Sequence, residues 1–226
     1  MSGLGQWLRN LRYRVFYGLL LSRRYPLETL GDQSYGVQFA ICPDGLNSKS
    51  VVYSGGVGKD ISFEHGLVKR FGCDIVLLDP SPTGVKTMEL PENRIPQLKF
   101  SQMALAAKSG TLKMAPPVEG NFSWYASDSG PGLIEVPVTD LQSLMKKNGH
   151  DHIDLLKLDI EGCEYEVIDD LLAKRIPVRQ LCADFDYGYV PGVTRKQAIR
   201  AMVKLATHGY RLIDQSGANH TFIRKP

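Results

Sequence analysis

No apolar run in the 226-residue chain approaches the ~20 residues needed to span a bilayer, so no membrane-crossing helix is expected. The four cysteines, Cys42, Cys73, Cys163 and Cys182, lie far apart and form no C-x-x-C pair. Buried, reduced thiols in a cytosolic protein account for them. A formal charge of +3 is too small to argue for nucleic acid, and no Lys/Arg-rich tract or aromatic stacking motif supplies that argument. Internal repeats and low-complexity tracts are also missing. What remains is ordinary for a globular protein with a sizeable core: 43% apolar and 23% charged residues, suited to one domain with an N-terminal extension.

Residues 51–80 read as strand, glycine turn, helix and second strand. Val51, Val52 and Tyr53 break at Ser54-Gly55-Gly56-Val57-Gly58. Across residues 59–71, Ile61, Leu67, Val68 and Phe71 form one apolar stripe, with Glu64, Lys69 and Arg70 between them. Gly72 stops this helix. The run from Asp74 to Asp79 is apolar throughout and too short for a helix, as in a parallel strand covered on both faces. Pro80 and Pro82 end it. Glycines where a strand meets its helix admit a ligand to the backbone, and the helix start attracts a negative group. Asp79 lies where such folds hydrogen-bond a ribose diol, which points to a nucleoside-containing cofactor. A plain turn and strand-end aspartate in any α/β domain is the other reading.

In residues 4–24, Leu4, Trp7, Leu8, Leu11, Val15, Leu19 and Leu20 recur at helical spacing among Arg9, Arg12, Arg14, Arg23 and Arg24. Charges interleaved with apolar residues, and no small-residue cleavage site, do not resemble a signal peptide. Two readings stand: a helix packed on the domain or on a second subunit, or a basic amphipathic helix on an anionic membrane surface. Residues 1–34 are therefore taken as a helical extension and 35–226 as the main domain, cytoplasmic or peripheral to a membrane.

Further along, a strand is expected over residues 35–42, a short helix over 83–90 and a third strand over 98–104. Residues 116–132, rich in Gly, Pro and Ser and carrying Trp124 and Tyr125, form a substrate lid or an ordinary surface loop. Thr139 or Asp140 caps a helix through Lys147. Residues 153–168 then give a buried strand followed by a helix with Cys163, Val167, Ile168 and Leu171 on one face. Asp159 and Glu161 fall at the carboxyl end of that strand, beside the ligand crevice of an open α/β sheet. Glu164 and Glu166, in the first helical turn, are partly explained by the helix dipole. A fifth strand over 179–185 ends in Asp184-Phe185-Asp186-Tyr187. A helix over 194–208 with a Thr194/Gln197 capping box and a hairpin over 210–224 complete the chain.

The stretch IDLLKLDIEGCEYEV at residues 153–167 resembles the signature of the FkbM-type S-adenosylmethionine-dependent methyltransferases, which carry a close match to IDLLKIDVEGAE-EV. The Val-Thr-Asp-Leu sequence at 138–141 and ALAAKSGTL at 104–112 match in order, and the resemblance covers residues 51–224. It implies an α/β, Rossmann-like seven-stranded class I methyltransferase sheet with a C-terminal antiparallel hairpin. It also implies S-adenosylmethionine across the strand ends: Ser54, Gly55, Gly56 and Gly58 near the methionine part, Asp79 on the ribose, Gln102 and Met103 bordering the adenine. Asp159 would face the methionine amino group or the substrate. The family's first strand usually ends in an acid, and here Tyr53-Ser54 stands there. Asp60 is the candidate replacement. The family's Glu-x-His-like end of the fifth strand is here Asp184-Phe185-Asp186.

Methyl transfer to a hydroxyl needs alignment, exclusion of water, and a base or a metal that lowers the hydroxyl's pKa. Glu161 or Asp159 is the expected base, with Asp186 next. Carboxylates there suit Mg²⁺, but no spacing demands a metal, and no metal ligands are assigned. His150 and His152 belong at the opposite end of the strand, and Lys157 is expected to be structural, reaching the sheet surface. The acceptor is expected to be a small molecule or glycan, through O-methylation of a sugar, glycan or secondary metabolite. Neither its identity nor the oligomeric state is legible, and Trp124, Tyr125, Tyr187 and Tyr189 do not distinguish acceptors. The alternatives are a non-catalytic module that kept the fold, and an NAD-dependent oxidoreductase. For the latter, Gly56 and Gly58 match G-x-G-x-x-G, but Ile61 occupies the third position.

Overall fold

The computed structural model describes residues 17, 18, 20–34, 38–117, 123–187 and 190–224. The elements run β1 (Glu28–Leu30), β2 (Phe39–Ile41), β3 (Val52–Gly55), α1 (Ser62–Phe71), β4 (Ile75–Leu78), α2 (Pro82–Glu89), β5 (Leu98–Ser101), β6 (Ala104–Leu105), β7 (Gly110–Ala115), β8 (Tyr125–Ala126) and β9 (Ile134–Thr139). Then follow α3 (Leu141–Asn148), β10 (Ile153–Leu158), α4 (Glu164–Ala173), β11 (Val178–Asp184), α5 (Arg195–Thr207), β12 (Tyr210–Ser216) and β13 (Asn219–Arg224).

The main sheet has seven strands in the order β12-β13-β11-β10-β3-β4-β5. From β11 to β5 every neighbouring pair is parallel, and β13 joins antiparallel to both β11 and β12. This is the expected class I methyltransferase sheet with its terminal hairpin. Alternation along each strand sends side chains to two separate cores. Leu156, Leu158 and Leu181 face α3, α4 and α5, whereas Val52, Ile75, Leu77 and Leu155 face α1 and β2.

The helices start and stop where short polar residues and glycines allow. Ser81 Oγ accepts the Gly84 N–H (3.0 Å), with Pro82 at the first helical position. Asp140 caps α3 by accepting the Ser143 N–H, so of the two expected caps it is the aspartate that acts. Gly72 and Gly149 close their helices in the left-handed conformation. Gln197 Oε1 accepts the Thr194 N–H (2.8 Å), the back-reach of the expected capping box.

Several expectations are corrected. The helix expected from Lys59 begins at Ser62, because residues 55–58 bend back toward β4. The single strand expected over 98–104 divides. Met103 donates its N–H to Ser101 (2.8 Å), the chain turns, and Ala104–Leu105 pairs in parallel with Val138–Thr139. A second sheet, β6-β9-β7-β8, results and stands beside the strand ends.

Of the N-terminal helix, residues 1–16 and 19 lie outside the described residues. Tyr17, Gly18 and Leu20 are helical, but the helix does not continue to Arg24: Leu21 bridges to Leu212, and Ser22 donates its N–H to the Leu212 carbonyl (2.7 Å). The boundary expected at residue 34 falls inside the β1–β2 antiparallel pair. That pair is fixed to the main sheet by the buried Gln180 side chain, which bonds both the N–H and the carbonyl of Cys42 (2.9 Å each). Among the described residues no helix is long and apolar enough to cross a membrane.

Candidate active site

The chain leaves β3 in one direction through β4 and β5, and fills the other side of β3 with β10 and β11. Where strand order reverses, the carboxyl ends splay apart, and open α/β sheets bind ligands there. A cavity of about 460 Å³ opens at this point.

The glycine turn forms its floor. Gly56, at φ +90°, donates its N–H to the Leu78 carbonyl (2.9 Å), and a Cβ at this position would lie 1.8 Å from the Asp159 carbonyl oxygen. No side chain fits there. Asp79 is buried and grips the turn: one carboxylate oxygen accepts the N–H groups of Val57 and Gly58 (2.9 Å each), the other that of Ser81 (2.7 Å). Helix α2 packs so closely on this carboxylate that a Cβ at Gly84 would come within 2.3 Å of Asp79 Cγ.

Beneath the turn lies an ion network. Period-two alternation puts Lys157 on the same face as Leu155, toward α1, where it is only 1% exposed. Its Nζ donates to the Gly56 carbonyl (3.0 Å) and lies 3.3 Å from Glu64 Oε1 and 3.5 Å from Asp159 Oδ2. Glu64 is fully buried and accepts the Ser54 hydroxyl (2.6 Å). Burial opposes the lysine's charge, but the two carboxylates outweigh it and raise its pKa.

The cavity wall is acidic. Asp79, Asp159, Glu161, Asp184 and Asp186 line it, against Lys59 as the one cationic lining side chain among the described residues. Asp159 and Asp184 each follow a registered pair of neighbouring strands, Leu158 beside Ala183. Glu161 sits at φ +55°, a left-handed conformation that only a few per cent of non-glycine residues adopt. Burial, then the charge of Asp159, pushes the Glu161 carboxyl up to about 7. Asp184 rises to about 7 through burial and Asp159, and Asp186 to about 11 through burial and Asp184. Glu164 is fully buried and accepts the N–H groups of Ile160 (2.7 Å) and Gly162 (2.9 Å), so it shapes the turn that carries Glu161. Opposite the acids, the second sheet and residues 123–126 present Leu112, Met114, Trp124 and Ala126.

A family model, the methyltransferase FkbM domain, matches residues 45–212. The chain belongs to the FkbM methyltransferase family. It is an S-adenosylmethionine-dependent methyltransferase by that membership, with the sheet order of the class. No curated protein matches the sequence. Among solved structures it is similar to the Methanococcus jannaschii fibrillarin pre-rRNA processing protein (8% identity, 88% of this chain and 82% of that one, TM-score 0.42). Another is M. jannaschii TYW2 in complex with AdoMet (10% identity, 91% and 90%, TM-score 0.36).

The FkbM cofactor fits these residues. S-adenosylmethionine carries a sulfonium and an ammonium, and this wall is rich in carboxylates; the turn admits no Cβ at Gly56 and leaves open space at Gly58. Of the residues expected to hold it, Gly56, Gly58, Asp79 and Asp159 meet at the cavity, as do Glu161 and Asp186. Gly55 is buried at the end of β3 against Ile160. Four others do not line the cavity. Ser54 points away, under the sheet, to Glu64. Asp60 accepts the Ser62 N–H (2.9 Å) at the start of α1. Gln102 is exposed and Met103 packs on the main core, because the chain turns there; Ala104 and Leu105 line the cavity. The buried acid that meets Ser54 near the end of β3 is Glu64, from the first turn of α1. His150 pairs with Tyr53 and His152 with Asp151 and Asp154, and neither lines the cavity. Tyr189 and residues 118–122 of the expected lid lie outside the described residues.

Glu64, Asp184 and the apolar wall were missed from sequence. For Glu64 a signal existed: the spacing Ile61, Glu64, Leu67, Phe71 puts it inside the apolar stripe, on the face that also receives Lys157. For Leu112, Met114 and Ala126 no local signal exists, since the fold-back of the second sheet brings them to the cavity.

Proposed function

We propose that the chain O-methylates a hydroxyl on a sugar, a glycan or a secondary metabolite. The observation that carries this reading is the carboxylate of Glu161, held at a strained corner of the β10–α4 turn in a wall it shares with Asp159, Asp184 and Asp186. A hydroxyl, unlike a neutral amine, must lose its proton as the methyl bond forms, so a positioned base has work to do. Glu161 is that base. Its pKa near 7 supports the assignment.

When bound, S-adenosylmethionine supplies the electrophilic methyl group. Gly56 and Gly58 would let the backbone approach the methionine part, Asp79 would meet the ribose hydroxyls, and Asp159 would face the amino group or the substrate. Trp124, Leu112 and Met114 offer a flat and apolar wall to a ring-shaped acceptor and keep water from it.

The test uses a donor with an isotope-labelled methyl group, a panel of sugars, glycans and phenolic metabolites, and magnetic resonance of the product. A methoxy signal that disappears in Glu161→Gln, with cofactor binding retained, is the expected result. Label found only on nitrogen, sulfur or carbon would refute the reading.

A further inference from the structure

We propose that Asp159, Asp184 and Asp186 hold one hard divalent cation, Mg²⁺ or Mn²⁺, at the strand-end corner of the cavity. One oxygen from each carboxylate lies within 4.8 Å of the others. In an octahedral site with metal–oxygen distances of about 2.1 Å, neighbouring oxygens are about 3 Å apart and opposite ones about 4.2 Å. Small side-chain rotations close the difference. Two of the three positions are set by the sheet itself, since Asp159 and Asp184 directly follow the registered pair Leu158 and Ala183.

A second observation is independent of this clustering. Asp186 is 9% exposed, lines the cavity, and its Oδ2 atom is buried without a hydrogen-bond partner among the described residues. Such an atom is destabilising unless something positive meets it. Among the described residues, the charges that act most strongly on Asp186 are those of Asp184, Glu161, Asp159 and Glu164, every one an acid. Lys157 is already shared among Glu64, Asp159 and the Gly56 carbonyl.

The donor set selects the ion. It holds oxygen alone, which favours Mg²⁺ and Mn²⁺ over zinc or copper. The one cavity cysteine, Cys163, has its thiol pushed up to about 12 by burial, so no thiolate is offered. The His220 ring is engaged with the Ala218 carbonyl (2.6 Å) and the Tyr17 hydroxyl (2.9 Å). On the hydroxyl-acceptor reading, on which this role rests, the ion lowers the pKa of the acceptor oxygen, and Glu161 receives the proton.

Electron paramagnetic resonance of Mn²⁺, titrated into the full chain with and without S-adenosylmethionine, is the direct test. The expected result is one bound ion per chain. Asp184→Asn and Asp186→Asn should each weaken it by more than about tenfold, the loss that even an outer-sphere partner produces. Asp186→Asn should remain folded and melt higher, because it removes an unpartnered buried acid, and circular dichroism checks both variants. Free-ion signal only, at millimolar Mn²⁺ in both states, would overturn the proposal, as would native-like binding in both variants. The two readings fail separately. A methoxy product formed undiminished after chelation removes the ion but leaves the hydroxyl acceptor standing. Bound Mn²⁺ with label on nitrogen does the reverse.

Discussion

Replacing Lys157 by Met tests whether the glycine turn is held by charge. The lysine sits 3.3 Å from Glu64 and 3.5 Å from Asp159. At an effective dielectric near 20 each contact amounts to about 5 kcal/mol of gross attraction, most of it offset by the loss of hydration. Removing the cation leaves a fully buried carboxylate at Glu64 and a second at Asp159, and breaks the bond to the Gly56 carbonyl. Breaking a buried pair from one side destabilises by about 3–5 kcal/mol, a large part of a domain's total stability. The double variant Lys157→Met/Glu64→Gln removes the stranded charge while keeping a partner for the Ser54 hydroxyl. It should recover about 2 kcal/mol relative to the sum of the two single changes. Urea unfolding of the four proteins measures this directly. The ammonium's stabilising contribution is complete below its ordinary pKa of 10.5 and is lost only as pH rises through its higher folded value, so pH 7 to 8 suits the assay. A single variant within about 1 kcal/mol of the native protein, or a double variant no better than additive, would show that the network does not hold the turn.

Other outcomes follow from the same geometry. Gly56→Ala should abolish S-adenosylmethionine binding or folding, because its Cβ would enter the Asp159 carbonyl at 1.8 Å; calorimetry showing native affinity would contradict the close approach. Asp79→Ala releases three backbone N–H groups and should weaken cofactor binding and lower the melting temperature together; a change in only one of them would separate the carboxylate's two roles. His220 is buried, which lowers its pKa from 6.5 to about 4. A lowered histidine binds protons more readily when unfolded, so its neutral form stabilises the fold above pH 6.5 and that stability drains away as pH falls toward 4, by up to about 3 kcal/mol. The native curve minus that of His220→Gln should show this slope; the difference is needed because Glu161 and Asp184, raised to about 7, favour the fold as pH falls. A flat difference curve would refute it.

Much of this molecule was legible in one dimension. Continuous apolar strands, amphipathic helices and glycine stops are local patterns, and they placed β3, α1, β4, β10, α4 and β11 to within a few residues. The run at 153–167 carried the family, and it put Asp159 and Glu161 at a strand's carboxyl end because a parallel strand's ending and its following turn are written in consecutive residues. What the tertiary structure alone decided are relations between distant segments. Met103 ends the third strand through a turn that creates a second sheet. Asp60, a plausible acid by position, is spent on its own helix start, while Glu64 reaches Ser54 and Lys157 from the first turn of α1. Asp186 joins Asp159 only because β10 and β11 lie in register. Local pattern fixes which residues leave water. Which charges then face one another depends on the packing of elements up to a hundred residues apart, as with Lys157 and Gly56, and that is where this cavity acquires its acidity.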